Sequence, residues 1–556
     1  MATHEVTNQV PPLGAYDVLA SDPVLVAALD RWGGDPAEQA VVRELGLRAG
    51  SPAAREWGEQ ADQHPPRLRT HSPTGERVDA VDYHPAYHRL LGVAVGAGLT
   101  AQPWTRPVGT GAHVRRAVGF VTWSQVEAGH GCPVSMTYAA VPALRHDPDL
   151  AGRWVAPLAS RTYQPDLQPL VDKDGALCGM GMTEKQGGSD VRANTTTATP
   201  AAGGPVPGHA YRLTGHKWFC SAPMSDGFLM LAQTPAGLTC FVAPRVLDDG
   251  ARNAFAIQRL KDKLGNRANA SSEVELDGTW ASRLGEEGRG VRTIIDMVAA
   301  TRLDCVLGSA ATMRQALVRA VHHARHRGAF GALLVAQPLM QNVLADLALE
   351  SEAATLLAMR LAHAVDQGET PFTRLAVGAA KFWVCKRTAP MVAEALECLG
   401  GNGYIEENGL ARLYREAPLN SIWEGSGNVN ALDVLRAVVR EPLAVDALGQ
   451  ELELARGLDR RLDRAIDDTL THLRSVAADP AARLDAQADA QFGARRVVEQ
   501  VAVTLQASLV VRYSPSVVAE AFVASRIGGE SGHTFGTLGP SAAAHARQLV
   551  DRASLV

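Results

Sequence analysis

The 556-residue chain has no CxxC pair, and its cysteines number seven, an odd count, scattered at positions 132, 178, 220, 240, 305, 385 and 398. A disulfide framework needs paired thiols, so these read as reduced and mostly buried, which points to the cytoplasm. No uninterrupted apolar run reaches the ~20 residues that a membrane-crossing helix requires, so no membrane partner is expected. The first residues, MATHEVTNQVPPLGAYDVLA, lack a basic flank followed by an apolar core, and no secretory signal is expected there. Positive charge is not in excess either. A formal net charge of −5 excludes a generally basic, nucleic-acid-coating protein, while leaving room for a local patch. Internal repeats and low-complexity segments are absent.

What is there is enough chain for three or four domain-sized units, with the 46% hydrophobic content of a globular protein with large cores. Periodicity divides it. Residues 1–178 are rich in helical patterning, broken by Pro/Gly clusters such as HSPTGE and PVGTGAH. Over 179–286 the pattern changes: GFLMLAQT and LTCFVAPR are short apolar runs between turn residues, SSEVEL alternates, and all three predict strands. Helical periodicity returns over 287–445. Leu339 to Gln367 predicts an amphipathic helix, and Thr373 to Leu399 a second, stopped by Gly400-Gly401. Residues 446–556 form an Ala/Arg/Asp-rich helical tail. The reading is an α+β multidomain chain: helices, a β unit, helices, then extra helices.

Several stretches carry chemistry. In NSIWEGSGN, Glu424 sits between the Trp423 indole and a Gly-Ser-Gly turn, company that a surface glutamate does not need. In MTEKQGGSD, backbone amides opened by Gly187-Gly188, with the Thr183 and Ser189 hydroxyls, suit a ring edge or a phosphate; an ordinary polar turn reads the same way. GHKWFCS puts Trp218 and Phe219 beside the Ser221 hydroxyl, either as a wall for a flat heterocycle or as core packing. Arg327 in RGAFG has the fork to hold a diphosphate, and ECLGGNGY is a glycine-rich helix end. The His322/His323/His326 cluster has metal-compatible spacing, but a solvated helix face accounts for it, and no metal is expected.

Taken as an ordered set, MTEKQGGSD, GHKWFCS, KLGNRANASSEVEL, RGAFG, ECLGGNGY and IWEGSGN resemble the acyl-CoA dehydrogenase flavoproteins over roughly residues 80 to 440. QVEAGHGCPVSMT and LYREAPLNSIWEGSGN narrow the likeness to the alkylation-response AidB branch, which also carries an extra helical C-terminal region. The resemblance implies an N-terminal helical domain, a middle β-barrel or sandwich, a C-terminal four-helix bundle and the additional helical domain. It implies FAD and the α,β-dehydrogenation of an acyl thioester, with a short or branched acyl-CoA as the expected substrate. A base takes the α-proton while hydride leaves the β-carbon for the flavin. Glu424 occupies the base position; the family's other base position, before Arg302, is Thr301, which cannot serve.

By the same resemblance Met182, Thr183, Gly188, Ser189, Trp218, Phe219, Ser221, Ser426 and Asn428 meet the cofactor, and Ser189, Arg302 and Glu424 meet the substrate. Arg327 and Gly400-Gly401 reach the FAD of a neighbouring subunit, which implies a homotetramer. The chain departs from the family at Pro338, where a glutamine is usual, at Glu397 in place of a glutamine, and at Ala299, where an aspartate commonly helps hold the CoA chain. The electron acceptor is not legible. A second reading, a flavoprotein that binds double-stranded DNA in the adaptive response to alkylation damage, would draw on Arg436, Arg495, Arg496 and Arg526. The tail gives it little electrostatic help: 12 arginines, no lysine and 14 acidic residues leave a net charge of −2.

Overall fold

The computed structural model describes residues 3–204, 206, 208–478 and 488–555; residues 479–487 of the expected helical tail lie outside them. The chain forms two compact units that interleave along the sequence, where periodicity alone divides it linearly. One comprises residues 53–107 and 126–304, the other 1–52, 108–125 and 305–556.

The first unit is built on a sheet of seven strands: β3 (Cys178–Gly181), β4 (Thr197–Pro200), β5 (Ala210–Ser221), β6 (Gly227–Thr234), β7 (Gly237–Pro244), β8 (Phe255–Leu260) and β9 (Ser271–Leu284), preceded in the chain by a separate hairpin, β1 (Arg67–His71) and β2 (Arg77–Asp82). The order is β3-β6-β4-β5-β9-β7, with β8 on β9 and β6 pairing back onto β7, so the path closes on itself. Strand β6 is GFLMLAQT, and its continuous apolar run has a physical reason. Phe228, Met230 and Ala232 pack into one core with Phe241, Phe255 and Val274, while Leu229 and Leu231 pack into another with Trp154, Val242 and Met297. A strand buried on both faces cannot alternate.

The hairpin corrects the helical reading of residues 1–178. HSPTGE is its turn, not a break between helices. Asp79 fixes it to the sheet by accepting the Ile257 amide at 2.9 Å, and the Arg245 guanidinium donates to the Asp79 carbonyl at 3.1 Å.

The second unit is helical. Its longest elements are the C-terminal portion of the helix Gly290–His326, then Pro338–Gln367 and Thr370–Glu397, which match the two predicted amphipathic helices to within three residues. The helices Arg460–Ala478, Ala488–Tyr513 and Ser516–Arg526 supply the tail. All seven cysteines are free thiols; Cys132 is half-buried and the other six are buried. Among the described residues no helix is long and apolar enough to cross a membrane.

Candidate active site

In the sheet-containing unit, the chain leaves β3 at Gly181 and enters the loop that carries Met182, Thr183, Gly188 and Ser189. One buried carboxylate organises this loop. Glu184 accepts hydrogen bonds from the Thr195 amide at 2.6 Å, the Thr196 amide at 3.2 Å, the Thr195 hydroxyl at 3.1 Å and the Gln186 side-chain amide at 2.9 Å. Its other partner is the fully buried Lys217, whose Nζ donates to Glu184 Oε1 at 2.8 Å and to the Leu231 carbonyl at 2.7 Å. Burial pushes the Glu184 carboxyl up, but the donors from Gln186, Lys217 and Thr196 outweigh it and hold the group well below the usual carboxylate range. The loop is thereby pinned from behind. Its outer part, Gly188 and Ser189, stays exposed.

Thr183 is tied to β5, its carbonyl accepting the Trp218 amide at 2.8 Å. A side chain at position 188 would put a Cβ 2.4 Å from the Thr183 hydroxyl, so this glycine keeps that hydroxyl open. The pairing of β5 with β9 slips between Lys217 and Cys220, and such an irregularity re-aims the side chains within it. Here it brings Trp218 and Phe219 to the same ammonium: Lys261 Nζ lies 3.3 Å from the Trp218 ring centre and 4.6 Å from that of Phe219. Phe219 remains 49% exposed, an apolar ring half open to solvent. The Ser221 hydroxyl shares a 3.0 Å hydrogen bond with that of Ser271. FAD fits this donor set, since open loop amides, hydroxyls and an uncovered aromatic face suit a flat ring edged with carbonyls and nitrogens. Arg302 is buried in the helix Gly290–His326, and Ala299 on the same helix is exposed.

In the helical unit, Glu424 is half-buried and adopts φ +56°, followed by Gly425 at φ +93°. A non-glycine residue in the left-handed region costs roughly 1–2 kcal/mol and needs support from its surroundings. Lys381, 1% exposed on the helix Thr370–Glu397, gives it: Nζ donates to the Trp423 carbonyl at 2.8 Å and to the Gly425 carbonyl. Asn430 donates to the Gly425 carbonyl at 2.5 Å and to that of Ser426 at 3.1 Å. The Trp423 indole N–H donates to Asn420 Oδ1 at 2.8 Å, and Asn420 Nδ2 donates to the Ser309 hydroxyl at 3.2 Å. Lys381, Asn420 and Asn430 were not among the expected site residues. Arg415 forms an ion pair with Glu406 at 2.5 Å.

Ser426 caps the helix Gly427–Arg440 without a side-chain bond, and Asn428 accepts from Arg495 Nε at 2.8 Å. Arg327 follows a helix end and donates to the Asn8 carbonyl at 2.5 Å. Gly400 takes φ +58°, and it and Gly401 face open space. Of the four arginines expected at a nucleic-acid surface, Arg526 is not available to a phosphate. It is ion-paired with Asp346 at 2.5 Å and with Glu350 at 3.1 Å, its side chain 12% exposed. Arg495 is engaged by Asn428, while Arg436 and Arg496 are exposed.

Comparison with known proteins follows this layout. Residues 8–165 match the adaptive response protein AidB N-terminal domain, 179–279 the acyl-CoA dehydrogenase middle domain and 288–439 the acyl-CoA dehydrogenase C-terminal domain. AidB of Escherichia coli (strain K12) is 46% identical over 82% of this chain and 84% of its own length. The crystal structure of Caenorhabditis elegans ACDH-11 in complex with C11-CoA superimposes with a TM-score of 0.81 at 26% identity, covering 99% of this chain and 93% of that one. An acyl-CoA dehydrogenase from Bacillus anthracis, complexed with FAD, shares the fold at a TM-score of 0.68 and 17% identity, over 93% of this chain and 88% of its own. With three family models matched in order and 46% identity over more than four fifths of both chains, the chain belongs to the FAD-dependent acyl-CoA dehydrogenase family, in its AidB branch.

Proposed function

We propose that this chain oxidises the α,β carbon–carbon bond of a short or branched acyl-CoA, with Glu424 as the base that accepts the α-proton. The observation that carries this reading is the turn itself. A glutamate whose backbone is held at φ +56° by hydrogen bonds to the neighbouring Trp423 and Gly425 carbonyls has the direction of its Cα–Cβ bond fixed, which suits the positioning that proton abstraction from carbon requires. FAD, when bound, accepts the hydride that leaves the β-carbon. Thr183, Ser189 and Ser221 would hold its polar ring edge and Phe219 would cover its face, while Arg302 stays on the substrate side. That ACDH-11 was crystallised with C11-CoA supports an acyl-CoA as the substrate class.

We assign the working form to a cytoplasmic homotetramer. Phe330, Leu339 and Tyr404 support assembly, being 100%, 85% and 82% exposed on the unit that carries Arg327 and Gly400; apolar side chains so exposed are suited to cover by another subunit. The nucleic-acid alternative has no observation in its favour, since Arg526 is already neutralised.

The test is an anaerobic titration of the yellow protein with butyryl-CoA, isovaleryl-CoA and a C11 acyl-CoA, following flavin bleaching. Glu424→Gln should retain FAD and lose at least the roughly 10²–10⁴-fold that a positioned general base contributes. Reduction of that variant within a few-fold of wild type would remove Glu424 from the chemistry. Sedimentation of the same sample as a monomer would remove the assembly.

A further inference from the structure

Lys381 is a buried side chain that the reaction scheme does not use. It lies on the helix Thr370–Glu397, 1% exposed, and among the described residues no carboxylate within hydrogen-bond distance pairs with it. Its Nζ instead donates to two backbone carbonyls, those of Trp423 and Gly425, which are the carbonyls on either side of the Glu424 residue. Burying a lysine amine normally requires a partner of opposite charge, because the desolvation it suffers is large. Here two peptide dipoles take that place. Asn430, fully buried, adds a second donor to the turn, to the carbonyls of Gly425 and Ser426.

The peptides on either side of the Glu424–Gly425 peptide are thus both tied by their carbonyls to one ammonium. With Glu424 at φ +56° and Gly425 at φ +93°, release of either carbonyl opens a path back to ordinary backbone angles, and the carboxylate would swing away with it. We propose that Lys381 is the positioning residue for the base: it acts through Glu424 by locking the Trp423–Gly425 turn, and does not itself touch the substrate. Asn430 is the second half of the same clamp. The inference rests on the dehydrogenase reading for its catalytic consequence, but the clamp can be measured apart from it.

Two readouts decide it. In hydrogen–deuterium exchange of the FAD-loaded protein, Lys381→Met should speed exchange of the amides in residues 423–426 at least tenfold while leaving the helix Pro338–Gln367 unchanged; exchange that is unaltered there, or raised everywhere alike, overturns the clamp. In a double-mutant cycle on flavin reduction by butyryl-CoA, Lys381→Met should slow wild type at least tenfold and add nothing in the Glu424→Gln background. An equal loss in both backgrounds shows that Lys381 acts on something other than the base. If Lys381→Met does not fold, Asn430→Ala takes its place in both measurements, with the same outcomes required. Full activity of Glu424→Gln alone would sink the base assignment, and the exchange result would still settle the clamp.

Discussion

At the scale of the residue, the pair behind the cofactor loop is the most exacting feature. Glu184 and Lys217 are both fully buried, so removing one leaves the other as an uncompensated charge. Lys217→Met should cost ~3–5 kcal/mol, read as a fall in the urea midpoint without a change in slope. The pH dependence follows from the carboxyl. Unfolded, it titrates near its ordinary 4.5; folded, the hydrogen bonds hold it lower despite burial. The stabilisation is therefore complete above about pH 4.5 and is lost as pH falls through the folded value. Glu184→Gln should flatten that acid limb in thermal melts, and an unchanged limb would assign the acid sensitivity elsewhere. Both residues stand in stretches singled out in the sequence, MTEKQGGSD and GHKWFCS, but their pairing was not legible there, because it depends on β5 folding back behind the loop. Lys381 was not legible. In AAKFWVCKR it looks like any lysine on an amphipathic helix, and only the later return of the chain at Trp423 makes it a buried donor.

At the scale of the element, the tail helix Ser516–Arg526 is tied to Pro338–Gln367 by Arg526, which meets Asp346 and Glu350, and Glu350 also receives Arg387 at 3.0 Å. Burial pushes the Glu350 carboxyl up, yet the Arg387 and Arg526 guanidinium groups bring it below its ordinary value. Arg526→Ala should therefore destabilise the fold by ~3–5 kcal/mol. Arg496→Ala, at an exposed position of the tail, should stay within about 0.5 kcal/mol of wild type. Equal melting temperatures for the two variants would refute the structural role. Elements with a strong single period were legible: β6 and the two long helices follow the sequence pattern closely. The β1–β2 hairpin was not. Its residues are mostly charged or polar with one buried aliphatic, Val81, so its strand character comes from docking at Ile257 and Arg245, a tertiary effect that no local pattern records.

At the scale of the whole molecule, the ordered motifs carried the family and the cofactor, because the chemistry fixes residue types at set places along the chain. The interleaving of segments 1–52 and 108–125 with the later helices left no such mark, since packing partners far apart in sequence share no common period. One property of the whole chain has a practical side. Burial pushes the Cys220, Cys240 and Cys398 thiols up to about 12 and raises those of Cys178 and Cys385 as well. At neutral pH a thiol with such a value is ionised in roughly one molecule in 10⁵, and only the ionised form attacks a carbon electrophile. Burial keeps Cys178, Cys220, Cys240, Cys305, Cys385 and Cys398 slow to react with iodoacetamide while the chain is folded, and the half-buried Cys132 is the partly reachable thiol. Intact-mass spectra should show a single fast adduct on native protein and seven after denaturation; rapid addition of several adducts to native protein would contradict the buried placement. In a cell under attack by alkylating agents, the same burial makes the folded molecule a poor scavenger of the reagent, and each extra adduct found on it dates a moment when it came open.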